Sequence, residues 1–128
     1  MNGGAFLAVG VGAVLGAYGR WGLSAWLNPS SPNVPTGTLL ANAIGGYLVG
    51  LAIGWFAQHP EASPELRLFV ITGFLGALTT FSTFSAEAVA LLIRAQYLTA
   101  FVHIGLHLIT SLLLTVGGLY TVNLLARQ

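Results

Sequence analysis

The sequence has no cysteine and no lysine, and only 5% of its 128 residues are charged. Without cysteine, disulfides, thiolate metal sites and thiol chemistry are excluded. Soluble domains carry about a quarter charged residues, so this composition points away from water. The four arginines and three glutamates leave a net charge of +1. A nucleic-acid binder needs a basic patch, and no stretch of this sequence supplies one. No Lys or Arg precedes Arg20, so the first apolar segment lacks the basic region of a signal peptide and reads as a retained span. What is abundant is apolar: 55% of residues are hydrophobic and the mean hydropathy is +0.84. The chain reads as an all-α integral membrane protein in contact with lipid.

Charges and turn residues divide it into four apolar segments, at about 4–27, 37–57, 66–94 and 98–126. The separators are NPSSPNVP (Asn28 to Pro35), QHPEASPE (Gln58 to Glu65) and a short link after Arg94. Each segment reaches the roughly 20 residues needed to cross a bilayer core. The expected organisation is one four-helix transmembrane domain, 1–128, with both termini on one side.

Arginine bias normally sets orientation. Here Arg67 and Arg127 lie on the side of the termini, and Arg20 and Arg94 on the other. The count leaves two readings open: insertion both ways with an antiparallel dimer, or one orientation set by a weak terminal bias. Small residues recur at four-residue spacing as Gly4, Ala8, Gly12 and Gly16, and again, after Asn42, as Gly46, Gly50 and Gly54. Such stripes let helix backbones approach closely in lipid, within a subunit or between subunits. Gly10-x-Gly12-x-x-x-Gly16 is not a dinucleotide fingerprint, because its last spacing is one residue too long and no strand precedes it.

Polar groups at membrane depth are costly and tend to mark transport pathways. Those in the spans are almost all neutral: Thr38, Asn42, the run Thr79 to Ser85, Thr110, Ser111 and Thr115. Glu87 is the one carboxylate in a span, and no serine has a base at triad-like spacing. Enzymatic catalysis is not expected. His103 and His107 share a helix face, but a metal site wants more ligands, so interhelical hydrogen bonding is favoured over metal binding. Arg20 is either a snorkelling anchor or a positive charge at the mouth of an anion path.

The run GALTTFSTFSAE, Gly76 to Glu87, concentrates this polarity. Thr hydroxyls can bond to the carbonyl a turn earlier, so a break near Gly76 to Thr80 is expected. Carbonyls freed at such a break can hold a cation. Beyond it, Phe81 and Phe84 share one face, and Thr83 and Glu87 another. The positive edges of aromatic rings can solvate a small anion weakly enough to release it. Plain packing of both rings is the competing reading.

Four motifs give the whole chain a resemblance to the small fluoride channels of the Fluc (CrcB) family: GAVLGAYGRW, GTLLANAIGGYLVG, GFLGALTTFSTFSAE and the late Ser111. The resemblance implies an antiparallel, dual-topology homodimer of four-helix subunits, the third helix broken, in the bacterial inner membrane. It implies two fluoride pores at the subunit interface and passive export of fluoride that entered as HF. It implies a central structural sodium ion on the backbone carbonyls of Gly76 and Thr79. It places Asn42, Phe81, Phe84, Ser82, Thr83, Ser85 and Ser111 on the fluoride pathway, with Thr38, Glu87 and His103 beside them and Arg20 at the vestibule. His103 departs from the tyrosine frequent in relatives and adds a titratable group. The alternative is a small dual-topology proton-coupled multidrug-type transporter, which needs an embedded acid; the first span holds Arg20 and no acid.

Overall fold

The structure is a computed structural model that describes residues 2–30 and 33–128. Ser31 and Pro32 of the predicted first loop lie outside the described residues. The described residues are mostly helical, and four runs among them are long and apolar enough to cross a membrane: Gly3–Ser30, Thr36–Gln58, Pro64–Ile93 and Tyr97–Leu125.

Helix α1 (Gly3–Leu27) begins where the Asn2 side chain accepts the Ala5 N–H at 2.8 Å. That bond satisfies one of the free donors at a helix start. Helix α2 (Thr36–Gln58) begins at Pro35, which has no capping side chain. Asn28, at the far end of α1, supplies the cap instead, its Oδ1 accepting from the N–H groups of Gly37 at 2.8 Å and Thr38 at 3.3 Å. The first two spans are thereby tied end to end.

The third run is irregular. A short α3 (Pro64–Arg67), capped by Ser63, widens into π-helix over Leu68–Leu75. There the Gly76 N–H reaches the Ile71 carbonyl, five residues back. One further turn, α4 (Gly76–Leu78), follows. Thr79 (φ −83°, ψ 156°) and Thr80 (φ −151°, ψ 118°) are extended. Helix α5 (Phe81–Ile93) starts after them, with Thr80 Oγ1 accepting the Thr83 N–H at 3.1 Å. A tight turn through Ala95 (φ 57°) leads into α6 (Tyr97–Leu125).

The packing explains both small-residue stripes. α1 lies against the π segment, and α2 lies most extensively against α6. Gly12 and Gly16 sit against the backbone of Phe69 to Leu78. Gly46 and Gly50 sit against the backbone of Ser111 to Leu119. Both stripes are therefore contacts within one subunit. Where helices touch backbone to backbone, dispersion replaces the hydrophobic drive that lipid removes. Large apolar side chains such as Leu7, Trp26, Phe101 and Leu113 point outward, as a lipid-facing surface requires.

Thr115 Oγ1 shares its proton between the Ser111 carbonyl (2.8 Å), in its own helix, and the Gly46 carbonyl (3.0 Å) of α2. Interhelical hydrogen bonds in membranes average about 0.6 kcal/mol. Thr115→Val is expected to cost that order, read as a small shift in the midpoint of detergent unfolding.

Candidate functional site

Asn42 is the organising side chain. It stands on α2 and is 9% exposed. Its Oδ1 accepts the Thr80 N–H at 2.7 Å, and its Nδ2 donates to the Thr80 carbonyl at 3.1 Å. The backbone N–H and C=O of Thr80, taken out of helix by the extended conformation, thus both find a partner in one amide. The second Nδ2 proton points at His107 Nδ1, 3.1 Å away. An amide nitrogen only donates, so Nδ1 accepts and Nε2 carries the proton.

This clasp forms one wall of a cleft of about 270 Å³. Thr79, Thr80, Phe81 and Phe84 line it from the third span, and His107 and Ser111 from α6. The two phenylalanine rings are 5.5 Å apart and tilted by 53°. Phe81 is 80% exposed at the open side. Phe84 is half-buried and lies over His103 (5.4 Å, 21°) and His107 (4.9 Å, 38°).

A second polar group adjoins the cleft behind Phe84. Thr38, buried on α2, donates from Oγ1 to Glu87 Oε1 at 2.7 Å, and Asn28 Nδ2 donates to Thr38 Oγ1 at 3.4 Å. The other carboxylate oxygen, Oε2, is 3.5 Å from His103 Nε2. Asn28, Thr38, Glu87 and His103 form a line running inward from the end of α1.

The hydroxyls of the run divide. Thr83 Oγ1 accepts from Thr80 Oγ1 at 3.0 Å, and Ser82 Oγ lies 3.3 Å from the same oxygen, so these three form a cluster at the start of α5. Ser85 Oγ donates back to the Phe81 carbonyl at 2.8 Å, and Thr79 Oγ1 to the Leu75 carbonyl at 2.8 Å. Arg20 does not stand free: its Nε donates to the Ala77 carbonyl at 2.9 Å. It ties the end of α1 to the turn that precedes the extended residues. Among the described residues, no hydrogen bond outside the helices ends on the carbonyl oxygens of Gly76 or Thr79.

The structure therefore gathers Asn42, Phe81, Phe84 and Ser111 around one cleft, and Thr38, Glu87 and His103 directly behind it. Two contributors were missing from the sequence-based set of pathway residues. Thr80 enters through its backbone, which side-chain chemistry does not advertise. His107 had a visible signal: His103, His107 and Ser111 follow at four-residue spacing and share one face of α6.

Comparison with known proteins follows the same lines. The family described as "CrcB-like protein, Camphor Resistance (CrcB)" matches residues 7–119. A protein of Thiobacillus denitrificans named "Fluoride-specific ion channel FluC" is 57% identical over 121 residues, which cover 94% of this chain and 98% of the relative. Proteins of the same name from Cupriavidus necator (59% over 121 residues; 94% and 96%) and Ralstonia pickettii (55% over 123 residues; 96% and 98%) are similarly close. Near full-length identity on this scale, together with four spans and a cleft built at the Gly76 to Glu87 run, makes this chain a multi-pass membrane protein of the CrcB/Fluc family.

Proposed function

We propose that the protein is a fluoride-selective channel of the bacterial inner membrane, working as an antiparallel homodimer that lets cytoplasmic fluoride leave passively through two pores. The names of the relatives supply the ion. The observation in this chain that carries the reading is the Asn42 clasp on Thr80. It holds the extended pair Thr79–Thr80 open at the wall of a cleft that also presents two phenylalanine rings and a serine. Neutral donors and ring edges replace part of the water shell of a small anion without a fixed charge that would trap it. The outward exposure of Phe81 suits a pore completed by a second subunit. Such a subunit, inverted, would agree with the even division of arginines between the two sides.

A structural sodium ion fits the third span. Among the described residues, the carbonyl oxygens of Gly76 and Thr79 have no hydrogen-bond partner outside the helices, and oxygen-only ligands suit a hard cation. Two inverted subunits would bring both pairs of carbonyls to one axis. The ion's charge there would offset the cost of leaving those carbonyls unpaired at membrane depth.

The test is fluoride efflux from proteoliposomes loaded with potassium fluoride, followed with a fluoride electrode after a potassium ionophore is added. Rapid efflux is expected. Its absence from protein that elutes as a folded dimer would overturn the channel reading. Phe84→Ile removes the ring edge and keeps an apolar side chain of similar bulk. We expect efflux to fall to that of protein-free liposomes while the dimer stays intact. Wild-type efflux in that variant removes the aromatic part of the mechanism.

A further inference from the structure

The polar line behind Phe84 is unfinished. Glu87 Oε2, both ring nitrogens of His103 and Nε2 of His107 are buried, and none makes a hydrogen bond among the described residues. His103 is 0% and His107 4% exposed. Orphaned polar atoms in the interior are costly and call for an explanation. One candidate ligand atom from each of the three residues lies within 4.8 Å of the other two. The edge from Glu87 Oε2 to His103 Nε2 is 3.5 Å. Two donors on one tetrahedral zinc, each about 2.0–2.1 Å from it, stand roughly 3.4 Å apart. That edge already has the required span. The ligand orientations are also held from outside. Thr38 Oγ1 donates to Glu87 Oε1, and the Phe84 ring covers both imidazoles. Metal ligands depend on such support.

We propose that Glu87, His103 and His107 form a binding site for a borderline divalent transition metal of the zinc class. Two imidazoles and one carboxylate suit such an ion, whereas magnesium and calcium prefer oxygen alone. Three protein ligands leave a fourth position for water. His107 also lines the cleft, which gives the ion a way in. Sequence alone favours interhelical hydrogen bonding for His103 and His107, because a metal site wants more ligands than the pair supplies. Glu87, on α5, is the third ligand.

Binding at this site is coupled to Asn42. His107 Nδ1 now accepts the Asn42 N–H. If Nδ1 gives its lone pair to the metal, that hydrogen bond is lost. If Nε2 binds instead, its proton moves to Nδ1 and faces a second donor, and the bond is lost again. Either route takes away one of the three hydrogen bonds that fix the Asn42 amide, and so loosens its hold on Thr80; metal binding should slow fluoride passage. That consequence rests on the channel reading above; the metal site itself does not.

The test uses the purified protein in detergent, titrated with Co²⁺ as a coloured substitute for Zn²⁺. Tetrahedral cobalt absorption bands are expected, displaced by Zn²⁺. They should survive in His59→Gln, the remaining histidine, which lies outside the cluster. In His103→Gln and His107→Gln the affinity should fall by at least about tenfold. Glu87→Gln gives a third comparison, and variants are compared only where they elute as the wild type does. No bands in the wild type, undiminished wild-type affinity in both histidine variants, or loss of the bands in His59→Gln would each overturn the site. In proteoliposomes Zn²⁺ should slow efflux by the wild type. Binding with undiminished efflux overturns the coupling to Asn42. Absence of efflux before any metal is added counts against the channel reading alone.

Discussion

Asn42→Ala is expected to abolish fluoride efflux and to destabilise the protein. The substitution removes three hydrogen bonds at once: two to the Thr80 peptide groups and one to His107. Each polar group left buried without a partner costs about 1–3 kcal/mol. Thr80 is half-buried, so water from the cleft recovers part of that loss, and the lower end of the range applies to each group. The melting temperature in detergent should drop clearly. The larger effect is on transport, because Thr79 and Thr80 are no longer held extended beside Phe81 and Phe84. Asn42→Asp separates the two contributions. Asp keeps the acceptor for the Thr80 N–H but loses both donor contacts and adds a negative charge to the cleft. We expect it to retain more stability than Asn42→Ala and still pass no fluoride. Full efflux in Asn42→Asp would show that the amide donor has no part in transport.

Gly50→Val and Gly118→Val are expected to prevent folding of the α2–α6 pair. A Cβ at Gly50 would fall on the Thr115 carbonyl and 2.8 Å from the Leu119 nitrogen. One at Gly118 would fall on the Tyr47 carbonyl and 2.8 Å from the Leu51 nitrogen. All of these neighbours are backbone, so no side chain can swing away. Overpacking a core usually costs about 1–3 kcal/mol, and a clash with backbone on both sides belongs above that range. The helices would have to separate along their main contact. That contact also carries Asn42 towards His107, so any protein that still folds should lose transport as well. Thermal melting and gel-filtration recovery measure the first effect. Gly117→Ala is the control: an added methyl there meets nothing within 4 Å in the same chain, and melting should barely change.

Much of this is legible in the sequence. Composition placed the chain in a membrane, because lipid tolerates so few charges. Turn residues and charges marked four spans, and the helices at Gly3–Ser30, Thr36–Gln58, Pro64–Ile93 and Tyr97–Leu125 follow them closely. The polar density of GALTTFSTFSAE marked where the third run changes character. These are local properties: hydropathy, turn chemistry and hydroxyl back-bonding act over a few residues. The π-helical stretch at Leu68–Leu75 was not visible, since Leu, Phe, Val and Ile fit an ordinary helix equally well.

The pairings were decided by tertiary structure. Asn42 meets Thr80 across 38 positions and His107 across 65, and Thr38 meets Glu87 across 49. Arg20, by sequence either a snorkelling anchor or a charge at a pore mouth, donates to the Ala77 carbonyl across 57 positions, a contact that no local pattern specifies. Glu87 lies beside His103 and His107 only because α5 packs on α6. Sequence spacing specifies which side chains share a helix face. It does not specify the rotation and crossing of one helix on another. Here those are set by glycine backbones in contact, Gly16 on Phe74 and Gly50 on Thr115, and the contacts of the cleft follow from them.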